Sequence, residues 1–167
     1  YKKEFNFKSL HIVRPANIYG PNMNFNPKSS MVIGSLIKKI FSNKKQIEVW
    51  GDGQNIRDFI YSKDVAQFMV NVIKKNIQKP INIGSGKGVK IKEIINILLK
   101  SKYLKNKPKI IYNTKMPSGD KKRILDVKLA KNAGLIDKTT SLEIGLDHTV
   151  KWYLNNKKKL KNRHSFF

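Results

Sequence analysis

Apolar side chains recur along this chain with two spacings, and the switches between them mark out the elements. Leu10, Ile12 and Val13 cluster ahead of Pro15, which predicts a short buried strand near residues 9–14 followed by a loop. Past Gly20-Pro21, the Asn-rich stretch 22–26 and Pro27, the residues Val32, Ile33, Leu36, Ile37 and Ile40 fall on one helical face. Ser29 or Ser30 is the expected N-cap, and the helix should end near Ser42. Residues 46–50 and 56–61 read as two strands forming a β-arch around Gly51-Asp52-Gly53. Ser62 or Asp64 can then cap a helix that turns Val65, Phe68, Met69, Val72 and Ile73 inward. Residues 80–84 predict a strand, Gly84-Ser85-Gly86 its turn, and Ile91 to Leu99 another amphipathic helix.

The last third continues the alternation. Pro108 to Tyr112 reads as an edge strand, and Pro117-Ser118-Gly119-Asp120 as a loop ahead of Ile124-Leu125-Asp126. Asp126 can cap a short helix that ends at Gly134, and Ser141 opens a final helix anchored by Leu146, Val150, Trp152 and Tyr153. Strand, turn and helix recur without an internal repeat or a long linker, so the fold class is α/β.

Composition narrows the setting. With 167 residues, 40% of them hydrophobic, the chain can bury one core. Cysteine is absent, which removes disulfides and thiolate zinc sites; no metal site is expected, and a reducing cytoplasm is the natural compartment. No apolar run approaches the roughly 20 residues that cross a bilayer, and Tyr1-Lys2-Lys3-Glu4 does not open a signal peptide, so a soluble protein without a membrane partner is expected. The chain lacks an initial methionine and runs quickly into a strand, which suggests that an upstream segment is absent.

A formal charge of +24 raises the question of nucleic acid. Only Arg14, Arg57, Arg123 and Arg163 are arginines, however, and the lysines are dispersed beside abundant Asn and Ile. We read this as a compositional bias and expect no nucleic-acid partner. The densest run, Lys157 to Arg163, reads as a solvated end. Gly84-Ser85-Gly86-Lys87-Gly88 resembles a phosphate loop only superficially: no Ser or Thr follows Gly86-Lys87, and Ile81 stands where the first glycine belongs.

Four segments carry a family resemblance: Arg14-Pro15-Ala16-Asn17-Ile18-Tyr19-Gly20-Pro21; Val49-Trp50-Gly51-Asp52-Gly53 with Arg57-Asp58-Phe59-Ile60-Tyr61; Asn82-Ile83-Gly84-Ser85-Gly86; and Asp120 to Asp126 with a Ser-Leu-Glu helix behind it. In this order they resemble the second half of the NAD(P)-dependent epimerase/dehydratase family, extended short-chain dehydrogenases that remodel nucleotide sugars. The resemblance implies that residues 1–167 form a single partial unit. Late strands of a Rossmann-type parallel sheet (near 9–14 and 80–84) would join a small mixed α/β substrate domain (about 22–62 and 100–155), with the N-terminal half of the fold missing.

The resemblance also implies a site. The backbone of Pro15, Ala16, Asn17 and Ile18 would border the nicotinamide ribose of NAD or NADP, and the Asn17 side chain would reach the sugar nucleotide or, alternatively, hold its own loop as an Asx-turn. Arg57 stands where the family places a diphosphate-binding arginine, whose planar fork matches phosphate oxygens as a lysine cannot; the alternative is a surface ion pair with Asp52 or Asp58. Trp50 would pack on the base or sugar, or else into the core. Lys39, Lys122 and Arg123 would complete the anion pocket, while Lys121 is equally read as plain surface.

No catalytic residue is expected within the chain. The family transfers hydride with a Tyr-x-x-x-Lys pair, in which the ammonium lowers the phenol pKa. Tyr103 with Lys107 and Tyr153 with Lys157 match the spacing, but neither lies just before the Arg14-Pro15 strand. The true pair is expected upstream, so this segment alone should be inactive. Within the family the motifs look closest to the GDP-L-fucose synthase branch, an epimerase-reductase whose helix after the Asn-Phe-x-Pro loop presents an acid histidine. Met31 occupies that position here, and His11, His148 and His164 do not replace it. The broader reading is therefore preferred: modification of a UDP-, GDP- or dTDP-sugar, for surface polysaccharide precursors, in a homodimer formed through the missing half. The rival is a non-catalytic basic module that binds anions.

Overall fold

The computed structural model describes residues 3–6, 9–136 and 138–160. The tail from Lys161 to Arg163 and His164 lie outside these residues. Thirteen elements alternate along them. Two short strands, β1 (Val13–Pro15) and β2 (Asn17–Tyr19), lead to helix α1 (Val32–Ile40); strands β3 (Gln46–Trp50) and β4 (Ile56–Tyr61) precede α2 (Ser62–Lys74). Strands β5 (Ile81–Ile83) and β6 (Gly88–Lys90) precede α3 (Ile91–Leu99); then come β7 (Lys109–Asn113), β8 (Lys122–Arg123), α4 (Lys128–Asn132) and α5 (Leu142–Leu160). The fold is α/β with parallel sheets.

The strands divide among three small sheets. β1 pairs in parallel with β5, Pro15 opposite Ile83. β4 is the most connected strand: β2 and β8 run parallel to it and β6 antiparallel. β3 and β7 form a separate parallel pair from Gln46↔Lys109 to Trp50↔Asn113. The two arms of the predicted arch therefore enter different sheets, with Gly51 and Gly53 at positive φ in the bend.

Several expectations need correction. Residues 9–12 are not strand; β1 starts at Val13, and His11 precedes it with Nδ1 2.7 Å from the Ile77 carbonyl oxygen. Pro15 is followed not by a loop but by a sheet change: Ala16 donates its N–H to Ile83 O at 2.8 Å, and β2 begins at once on the β4 sheet. Neither Ser29 nor Ser30 caps α1, whose N-cap is Met31 without a side-chain bond. In α2, Val65, Phe68 and Val72 are buried, but Met69 is 50% and Ile73 63% exposed, because the stripe that meets the sheet is narrower than the apolar pattern. β6 and β8 were not expected at all; each is a two- or three-residue segment that exists only through pairing with β4.

The main core lies between α1, α3, α5 and the strands, with Ile33, Ile37, Ile94, Ile95, Leu98, Leu146 and Val150 essentially inaccessible. Each such aliphatic side chain contributes about 1.5–3 kcal/mol of burial. Phe25 brings the Asn-rich segment into this core by stacking on Trp152 and packing at a tilt against Tyr153 of α5. A second cluster (Ile60, Val65, Phe68, Ile83) seats α2 on its strands.

Candidate active-site cleft

Strand β4 positions the candidate site because its neighbours arrive from distant parts of the sequence. Arg57 and Arg123 are register partners across the parallel β4–β8 pair, so their side chains leave the same face. Lys122, one residue earlier, is opposite Ile56 and leaves the other face. Arg57 Nη1 donates to Asp120 O at 2.6 Å and to Ile56 O at 2.9 Å.

Neither ion pair considered for Arg57 forms. Asp52 Oδ1 accepts the Gln54 N–H at 2.9 Å, and Asp58, only 1% exposed, turns to the Gly84-Ser85-Gly86 turn. Its carboxylate accepts Ser85 N–H at 3.0 Å, Ser85 O–H at 2.6 Å and Gly86 N–H at 3.2 Å. The turn that superficially resembles a phosphate loop thus does hold an anion, and the anion is the protein's own carboxylate. Three donors compensate a charge that is costly to bury alone.

A cleft of about 600 Å³ opens beside Arg57, between α1, the β3–β4 bend and the loop before β8. Ligand clefts usually measure about 300–1,000 Å³. Lys28, Lys39 and Arg57 supply its charge, no carboxylate lines it among the described residues, and Val32, Leu36, Val49 and Ile91 give it an apolar floor. Lys39 Nζ donates to Glu48 O at 2.9 Å, which holds the ammonium at the α1–β3 junction. Trp50 forms part of the lining and is 52% exposed, so it is not a core residue. Ser30 Oγ is buried at the same wall and has no hydrogen-bond partner among the described residues.

Lys39, Trp50 and Arg57 are therefore brought to one cleft, with Arg123 exposed beside it and Lys122 directed away. Pro15, Ala16, Asn17 and Ile18 lie elsewhere, where the chain passes from β1 to β2. The Asn17 amide donates to Asp58 O at 2.8 Å, cross-linking β2 to β4 in place of an Asx-turn. Lys121 is exposed, and its carbonyl accepts the Ile56 N–H.

Neither coincidental Tyr-x-x-x-Lys pair lines the cleft: Tyr153 is buried against Phe25, and Lys157 donates to Phe41 O at 2.9 Å. His148 rests against the Tyr61 ring. Among the described residues no cluster of His, Asp and Glu could hold a metal, and no helix is long and apolar enough to cross a membrane. Sequence reasoning missed Asp58, Ser30 and Asn55. Only the adjacency of Asp58 to Arg57 hinted at a role, and that hint pointed to the wrong partner.

Comparison with known proteins agrees with this architecture. Residues 1–84 match the NAD dependent epimerase/dehydratase family. The chain is 32% identical over 160 residues to GDP-L-colitose synthase of Yersinia pseudotuberculosis, covering 92% of this chain and 50% of that protein. It is 28% identical over 175 residues to GDP-L-fucose synthase of Escherichia coli (strain K12), covering 96% and 53%. UDP-glucose 4-epimerase of Thermotoga maritima, solved with UDP-glucose, superposes with a TM-score of 0.77 at 26% identity, covering 93% of this chain and 49% of that one. The chain spans about half the length of the curated relatives it matches. On the family match and the shared fold, this chain belongs to the NAD dependent epimerase/dehydratase family.

Proposed function

We propose that this chain supplies the nucleotide-sugar site of an NAD(P)-dependent epimerase or dehydratase acting on a UDP-, GDP- or dTDP-sugar. The observation that carries the reading is the cleft itself: among the described residues it has three cations, no carboxylate and an apolar floor, with an exposed tryptophan in the lining. Arg57 and Lys39 engage the diphosphate, and Arg123 adds field from beside the cleft. Trp50 packs on the base or sugar. Ser30 Oγ, buried and unpartnered, is suited to a ligand hydroxyl or phosphate oxygen.

The cofactor, NAD or NADP, would lie along Pro15, Ala16, Asn17 and Ile18, beyond the carboxyl ends of β1 and β5, where ligands of open α/β sheets sit. Pro15 is exposed there and Ala16, Asn17 and Ile18 are partly exposed, so this segment is reachable from solvent. A nicotinamide held there would supply the hydride acceptor and donor for oxidation and reduction of the sugar. This chain's residues bind and orient the sugar nucleotide, while the tyrosine–lysine pair comes from outside these 167 residues, so that the segment alone is inactive. The β1–β5 pair belongs to the dinucleotide-binding sheet and the remainder chiefly to the substrate domain.

Met31, at the head of α1 and half exposed, has no exchangeable proton for an epimerisation step of the fucose synthase kind, which favours the broader family reading. The protein is expected to act in the cytoplasm as a homodimer. Nucleotide discrimination at fixed salt is the test. Binding of UDP, GDP and dTDP should differ in affinity and lose little between low and physiological salt. A steep salt dependence without base preference would favour the basic anion-binding module instead.

A further inference from the structure

Asn55 sits two residues before Arg57, half-buried where three segments meet. Its Nδ2 lies 3.2, 3.3 and 2.8 Å from the carbonyl oxygens of Ser118, Gly119 and Asp120. Its own carbonyl accepts the Ile91 N–H at the start of α3 at 3.1 Å. One amide group shared among three consecutive carbonyls clamps the tip of the β7–β8 connection, and Ile56 N–H to Lys121 O at 2.9 Å fixes the residue after it.

The clamped segment is also what holds the guanidinium. Arg57 Nη1 is committed to the carbonyls of Asp120 and Ile56, which leaves Nη2 and Nε for a ligand. Gly119, at φ +69°, keeps the approach to Nη2 open: a Cβ there would lie 3.4 Å from that nitrogen. Pro117 and Ser118 of the same segment form part of the cleft wall.

We propose that Asn55 is a positioning residue that sets the direction of the Arg57 guanidinium by holding the Ser118–Asp120 carbonyls, an inference that rests on the diphosphate reading of the cleft. Without the amide the three carbonyls lose their common donor, the segment loosens, and the Asp120 oxygen no longer fixes Nη1.

A double-mutant cycle tests this in the intact protein, with UDP and GDP as probes. Asn55→Ala should weaken binding about tenfold in the wild-type background. The same change should cost less than about twofold when Arg57 is already Ala, because the residue acts through Arg57. Asn55→Gln, which keeps the donor, should recover part of the loss. Asn55→Asp, the same shape without the donor, should lose as much as Asn55→Ala or more. Amide exchange over residues 114–121 should rise in Asn55→Ala whether or not Arg57 is present. Equal losses in both backgrounds, or wild-type affinity in Asn55→Asp, overturn the inference while leaving the cleft assignment intact. If Arg57→Ala alone leaves UDP and GDP binding unchanged, the diphosphate reading fails first and takes this inference with it.

Discussion

Replacing Asp58 should expose how β4 is tied to the turn after β5. The carboxylate is buried, has no cation beside it among the described residues, and is held by two backbone N–H groups and one hydroxyl. In Asp58→Ala the Ser85 N–H loses its acceptor in a half-buried setting, at about 1–3 kcal/mol for an unsatisfied donor. Gly86 is exposed, so water can replace its bond, and the Ser85 hydroxyl can move to Lys87 O, already 3.2 Å away. Relief of a buried charge offsets part of the loss, leaving about 2 kcal/mol. Asp58→Asn keeps one oxygen for both Ser85 donors but points an amide N–H₂ at the Gly86 N–H, so it should cost about 1–2 kcal/mol. Urea unfolding reads both as a shift of midpoint at constant slope. An Asp58→Ala protein within about 0.5 kcal/mol of wild type, or one more stable than Asp58→Asn, refutes the reasoning.

Two further predictions concern packing and pH. Gly145→Ala should gain about 1 kcal/mol of helix propensity in α5. A Cβ there, however, overlaps the Tyr19 hydroxyl and lies 2.9 Å from Cζ of a ring that is itself buried, so a net loss of about 1–2 kcal/mol is expected; stabilisation in a thermal melt would contradict the contact. Burial, reinforced by Asp64, Tyr61 and Glu143, raises the Tyr19 pKa; burial also raises Tyr61 and Tyr153. The folded state then keeps protons that the unfolded chain releases above about pH 10, so stability is whole below that pH and falls as pH rises through it. Melting temperatures measured across that range, with Tyr19→Phe falling less steeply, check the sign.

How much the sequence revealed depended on how local each cause was. The bounds of β3, β4 and α3 follow from apolar spacing and glycine turns, which act within a few residues. β6 and β8 were illegible because β4 creates them: Lys122-Arg123 becomes strand only by lying against Ile56-Arg57. Met69 and Ile73 share the period of Val65 and Val72, and periodicity alone cannot say how wide a stripe the neighbouring strands cover. In the cleft, Arg57 stood out as a rare arginine among lysines. Arg123 was already a candidate through the resemblance, but its register pairing with Arg57 and the amide of Asn55, bonded across more than sixty residues, became visible only once the chain was folded.

Calorimetric titration of UDP and GDP into the intact wild-type, Arg57→Lys and Arg57→Ala proteins bears most directly on the account. A two-pronged guanidinium contact to a diphosphate predicts a loss of about tenfold or more for Arg57→Lys and a larger loss for Arg57→Ala. Affinities that match wild type in both variants would mean that no diphosphate is bound at this cleft.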